Sequence, residues 1–395
     1  MNRPGLREFL RYATRFAGWR AYLRAPGDGR VRPQLPAAAL LRALLGARVL
    51  REVSFHAVEA LVRSPARRGL TVRRAFGDDT LAYCTERLDP APLRRAAVRV
   101  VRQAKRNKAF EASRRIGLAL DGTGAGRSQE ARCAGCRPLR NAKREIVGYQ
   151  HQVVLASVVG TAVTLPLDVE PYGPGDSEYA GGQRLLRRVV TALGPRFADY
   201  VVVDGAFATA PFLHAVGDLG LKAVARLKGN LPELFQAAQR RFAATPPTQT
   251  FRDGEDWVEV WDAADFDPWA TLPWATVRVL RYRQHKRDGD VVEASWLTDF
   301  TPQQAGSLAL YRMAKSRWEI ENQGFNDAKT RYGLAHTCHH HPTSLLITWL
   351  LIALTMTLER LYRTRYLHRG THRVLAPVAL CRLLWLSVAQ APDTS

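Results

Sequence analysis

With 395 residues, 46% of them hydrophobic, the chain is long enough to bury a large core and to hold two or three modules. Its formal charge of +22 and pI near 10.5 make a polyanion the first partner to expect. Five scattered cysteines offer no disulfide framework, and no signal peptide is expected ahead of the first helix. The apolar run at 345–358, 14 residues that include three threonines, is short of the ~20 needed to cross a bilayer. A secreted disulfide scaffold and a membrane protein are set aside, and a cytoplasmic protein is expected.

Residues 1–113 read as helical, with apolar residues at helical spacing over 37–49 and 93–101 and with Pro65 and Pro90 as punctuation. Arg3, Arg7 and Arg11 open a basic amphipathic stretch. The segment holds 24 Lys/Arg against 9 Asp/Glu, so 24 − 9 = 15 of the 22 excess charges lie ahead of the first strand. A high-GC genome enriches arginine everywhere but does not concentrate it at one end. The segment is expected to grip DNA phosphates in a salt-sensitive way. No helix-turn-helix signature says which helix enters a groove.

From 114 the pattern changes. Apolar runs at 116–120, 150–159, 164–169, 200–203 and 222–227 read as strands, and 183–193 and 210–219 as helices. A strand-rich opening followed by alternation with helices implies an α/β fold, a mixed sheet flanked by helices. Two of the runs end in aspartate, as Asp121-Gly-Thr-Gly and Asp204-Gly-Ala-Phe. Asp-Gly is an ordinary turn signal, but a carboxylate at the tip of a buried strand also sits at the sheet rim, where α/β folds place their sites. The spacing Gly122-x-Gly124-x-Gly126 fits neither a dinucleotide fingerprint nor a Walker loop. Cys133-x-x-Cys136 supplies half of a zinc site. Cys338 and His339–His341, remote in sequence, could complete it; the alternative is a reduced, structural thiol pair.

Residues 229–298 look like a separate β-rich module. Five of the nine tryptophans fall there, Trp257, Trp261, Trp269, Trp274 and Trp296, and alternating runs at 276–282 and 291–297 suggest strands. Most of these rings are expected to be the module's own core. Downstream, Arg317-Trp-Glu-Ile-Glu-Asn-Gln-Gly-Phe-Asn-Asp-Ala-Lys329 reads as a helix. At about 100° per residue, Arg317, Glu321, Phe325 and Lys329 form one ridge while Glu319 points away. Such i,i+4 pairs laminate many solvated helices. Together with Asp121 and Asp204, however, Glu321 makes a candidate three-carboxylate cluster of the kind that holds Mg²⁺ for two-metal phosphodiester chemistry. Arg317 and Lys329 beside it would hold phosphate.

These three motifs, with Gly77-Asp-Asp-Thr80 and Glu86-Arg-Leu-Asp-Pro90 upstream and Gly333-Leu-Ala-His336 downstream, resemble a DDE transposase of a bacterial insertion sequence, over roughly residues 70 to 365. The resemblance implies an RNase H-like core, 114–228 and 299–365, interrupted by a β-rich insertion at 229–298. An all-helical basic region, 1–113, precedes it and a tail, 366–395, follows. It implies Asp121, Asp204 and Glu321 as the catalytic and metal-binding triad, with two Mg²⁺ ions (or Mn²⁺ in their place). Arg317 and Lys329 match the Tyr-Arg-Glu-Lys signature, but Ala314 stands where its tyrosine belongs and Tyr311 lies one turn back. Tyr311, His336 and the base-stacking insertion tryptophan, with Trp296 as the guess, are the further DNA contacts it suggests. The implied activity is cut-and-paste transposition: binding of the element's terminal inverted repeats, strand cleavage, and transfer to target DNA by a DNA-bound homodimer, in the cytoplasm at the nucleoid. A nuclease on the same fold and a domesticated DNA-binding protein are the alternatives.

Overall fold

Ten strands form one mixed sheet in a computed structural model that describes residues 5–18, 27–368 and 374–389. Arg3 lies outside the described residues. In chain order the strands are β1 (Gly117–Ser128), β2 (Arg137–Arg140), β3 (Ile146–Val159), β4 (Leu165–Tyr172), β5 (Tyr200–Val203), β6 (Lys222–Leu227), β7 (Gln249–Asp253), β8 (Asp256–Phe266), β9 (Val277–His285) and β10 (Val291–Thr298). β4, β3 and β1 are antiparallel neighbours, and β5 and β6 add in parallel on the far side of β1. β5 is apolar throughout because it is buried on both faces, as central strands covered by helices must be. The mixed α/β architecture and the RNase H-like fold expected from the sequence are both present.

The stretch 229–298 is less separate than its composition suggested. β10 pairs antiparallel with β6, Ser295 opposite Leu227 through Thr298 opposite Val224, so β10, β9, β8 and β7 continue the same sheet outward. Main-chain hydrogen bonding, which composition does not report, joins the two.

The apolar run near 345 belongs to helix Pro342–Leu361, long and apolar enough to cross a membrane by length and composition, yet buried almost end to end. One side packs on β4 and the other on the N-terminal helices Ala37–Val49, Asp78–Glu86 and Ala91–Arg106. Ala37–Val49 is buried nearly all round, Arg48 included, whereas two other helices bury one stripe and leave arginines outside. Ala91–Arg106 buries Leu93, Ala96, Ala97, Val100, Val101 and Ala104, with Arg95, Arg99, Arg102 and Arg106 exposed. Helix Leu6–Ala17 does the same with Leu6, Phe9, Leu10 and Ala13 inside and Arg7 and Arg11 exposed. The tail helix Pro377–Ala389 closes onto this layer: Ser387 Oγ accepts from the Leu6 amide at 2.9 Å and Trp385 Nε1 donates to the Leu50 carbonyl at 2.9 Å.

Candidate active site

Two neighbouring strands bring the aspartates together. β1 and β5 run parallel with Leu120 beside Val203, so the next residue on each is Asp121 and Asp204. β5 stops there, and Asp204 leads into a single 3-10 turn, Gly205–Phe207. β1 does not stop. It runs on to Ser128 with Asp121 opposite Leu155 of β3, so Asp121 lies within a strand rather than at its tip. The long β3 offers a ladder that overrides the Asp-Gly turn signal. The rim exists because β1 loses its β5 partner on one edge at that residue.

The third acid sits on a helix that is regular only at its ends. Residues Arg317–Glu319 and Asn326–Arg331 are α-helical, and Ile320–Phe325 between them is a π-turn. Such wide turns concentrate at functional sites. Arg317 and Glu321 still meet, Nη2 to Oε2 at 3.1 Å, while Nη1 of the same guanidinium reaches Asp121 Oδ2 at 3.1 Å. Arg317 thus bridges acids from two remote segments, and it also bears electrostatically on Asp204. Glu319 faces away as its spacing requires, accepting from Thr164 Oγ1 at 2.6 Å and from the Gly160 amide. Arg360 of the long buried helix holds the π-turn: it donates to the Gln323 carbonyl, to Asp327 Oδ2 at 3.0 Å and to the Thr164 carbonyl at 2.6 Å.

The charges are unequal. Burial pushes the Asp121 carboxyl up to about 6; Arg317 and the Gly122 amide oppose the rise, while Glu178 and Asp204 add to it. Burial also works against a charged Asp204, but the Lys228 ammonium at 2.9 Å and the Gly205 amide outweigh it, leaving that carboxyl below its ordinary value. Glu178, in the first turn of helix Glu178–Leu193, is a fourth carboxylate at the site. Burial raises its pKa against the Gly122 amide and the Tyr172 hydroxyl, and Asp204 raises it further. Gly122 has no side chain for this reason: a Cβ there would lie 2.3 Å from the Glu178 carboxyl carbon. Arg226 of β6 bears on both Asp204 and Arg317, and its buried Nη1 has no partner.

Glu178, Lys228 and Arg226 escaped the sequence reading. The only signals were a Ser177 N-cap, whose side chain accepts from Ala180, and the basic alternation at the end of β6. The other expected contacts fall variously. Lys329 is half-buried near the Phe325 ring, with burial first and then Arg127 depressing its pKa. His336 is exposed, its pKa lowered by partial burial and by Arg48. Tyr311 is buried and donates to Asp253 Oδ2 at 2.7 Å, so its hydroxyl is committed inside the protein rather than offered to phosphate. Trp296 is 0% exposed, edge-on to Trp318, and cannot stack on a base from there. The interior of β10 made it a core residue. Trp257 is the large exposed ring of the insertion instead, at 45%. Cys338 binds Arg48 and the Val53 carbonyl, away from Cys133 and Cys136.

Asp121, Asp204 and Glu178 bear on one another at this rim and Glu321 joins them through Arg317, a set of hard oxygen donors interleaved with the Arg317 and Lys228 cations. That is the chemistry a divalent cation with oxygen ligands requires, and the residues present fit such an ion.

The family model of a transposase DDE domain matches residues 112–358, more than half of the chain. Among solved structures, a piggyBac transposase synaptic complex with hairpin DNA is similar at a TM-score of 0.48 and 11% identity, covering 98% of this chain and 80% of that one. No curated protein sequence matches.

Proposed function

The chain belongs to the DDE transposases, metal-dependent enzymes that process nucleic acid, and from that premise we propose that it cuts a mobile element at its terminal inverted repeats and joins the freed ends to target DNA. The observation that carries this reading is Arg317 bridging Asp121 and Glu321, with Asp204 on the adjoining strand. Asp121, Asp204 and Glu321 are the residues to hold two Mg²⁺ ions, with Mn²⁺ as substitute and Glu178 as an additional donor beside them. Ions so bound supply activation of the attacking oxygen and stabilisation of the leaving one. Arg317, which spans two of the acids, would contact the scissile phosphate. Lys228, paired with Asp204, would hold the strand at this rim, and Lys329, near Arg127 further along the Glu321 helix, would bind the backbone beyond it. The exposed arginines of Ala91–Arg106 and Leu6–Ala17 provide the sequence-independent grip on the duplex. Two element ends must be processed together, so a homodimer on DNA, acting in the cytoplasm at the nucleoid, is the assembly expected.

The test is Asp204→Asn on labelled DNA carrying the element's own ends. Mg²⁺-dependent cleavage should vanish while filter retention of the DNA stays nearly intact. Survival of cleavage would remove Asp204 from the site. Pre-cut ends then separate the two enzymatic readings, because a nuclease without transferase activity would leave them unjoined.

A further inference from the structure

Further along the β1–β3 pair, on the sheet face that carries Asp121, four donors converge that the chemistry above does not use. Cys133 and Cys136 lie in the β1–β2 connection, His151 on β3, and His340 just before the long buried helix. One ligand atom from each lies within 4.8 Å of all the others. Cys133 Sγ is 3.7 Å from Cys136 Sγ and 3.1 Å from His151 Nε2. Cys136 Sγ is 3.6 Å from His151 Nε2 and 4.0 Å from His340 Nδ1. Around a tetrahedral zinc with ordinary bond lengths, S···S edges come to about 3.8 Å and S···N edges to about 3.5 Å.

The setting is also that of a metal knuckle. The Cys133 carbonyl accepts from the Cys136 amide at 3.1 Å, closing the turn, and the Gly135 and Cys136 amides both face the Cys133 sulfur. Gly135 lies against His151, where a Cβ would be 3.4 Å from the ring. Cys136 and His151 are buried, yet among the described residues no carboxylate or main-chain acceptor serves the imidazole, and its Nδ1 has no partner there. His340 is positioned by its neighbours: His339 binds Glu86 at 2.7 Å and Cys338 binds Val53 at 3.0 Å.

We infer that Cys133, Cys136, His151 and His340 form a closed, structural site for one zinc ion. Two thiolates and two neutral imidazoles leave no open position for a substrate. The ion would join β3 and the β1–β2 connection to the segment leaving the Glu321 helix, so that the two halves of the catalytic core, far apart in sequence, are tied where His151 faces Ala125, four residues along β1 from Asp121. The sequence offered Cys133 and Cys136 with Cys338 and His339–His341 as the completing candidates; of these His340 joins the set, Cys338 does not, and His151 carried no sequence signal.

Metal analysis of the full chain purified without chelator decides it. One zinc per chain is expected in the natural protein and in the Asp121→Asn/Asp204→Asn/Glu321→Gln variant, and almost none in Cys133→Ser/Cys136→Ser or His340→Ala. Cobalt loaded in place of zinc should show thiolate-to-metal charge transfer and tetrahedral ligand-field bands. Should the cysteine variant fail to fold, the cobalt spectrum of the natural protein decides. Absence of those bands, zinc retained by the cysteine variant, zinc lost from the acid variant, or a Cys133–Cys136 disulfide found by thiol titration would each overturn the assignment.

Discussion

Asp121→Asn should make the metal-free protein more stable while abolishing cleavage. The Asp121 carboxyl is raised from 3.8 to about 6. A folded-state pKa above the unfolded one means the native state binds its proton more tightly. The associated stability is therefore present below about pH 4 and lost as pH rises to about 6. Two units at about 1.4 kcal/mol each give about 3 kcal/mol of destabilisation carried by the ionised group at neutral pH. Arg317 moderates the cost but, sharing its guanidinium with Glu321, does not cancel it. Asparagine keeps the shape and removes the charge. Urea unfolding in EDTA, comparing the variant with the natural protein from pH 4 to pH 7.5, should show a stability difference near zero at the acid end. The difference should grow to about 3 kcal/mol in favour of asparagine by neutral pH. Added Mg²⁺ should narrow it by stabilising only the protein that retains the carboxylate. A difference that does not change with pH, or that favours aspartate at pH 7, would refute the claim that burial makes the ionised Asp121 carboxylate costly in the metal-free protein.

Glu178→Gln should raise the Mg²⁺ concentration for half-maximal cleavage on the order of tenfold, with DNA retention unaffected; an unchanged Mg²⁺ dependence would remove Glu178 from the site. Arg360→Met removes one of the two cations on Asp327, which keeps Arg331, and leaves the Gln323 and Thr164 carbonyls without that donor. Leaving those acceptors unmet should cost about 2 kcal/mol, read in urea unfolding, and cleavage should weaken with it because the π-turn carrying Glu321 loses its anchor. Trp296→Ala should cost about 3–5 kcal/mol of stability as a core cavity, whereas a base-stacking residue would lose cleavage with its unfolding curve unmoved.

Much of this molecule is written in properties that a short window can carry. The apolar runs ending at Leu120 and Val203 place Asp121 and Asp204. The four-residue step from Arg317 picks Glu321 over Glu319, and the charge surplus ahead of residue 114 marks the basic layer. What local pattern does not hold is pairing and depth. β1 runs through its aspartate because β3 is long enough to continue the ladder, and 229–298 joins the core because β10 finds the edge of β6. The helix of the third acid widens where Arg360, remote in sequence, donates to the Gln323 carbonyl. Trp296 and Tyr311 are removed from solvent by strands and helices they do not neighbour in the chain. Glu178 beside Gly122 and the meeting of His151 with His340 are decided the same way. Periodicity and composition are settled within a few turns of backbone, whereas burial, electrostatic crowding and ligand geometry exist only after distant segments have packed.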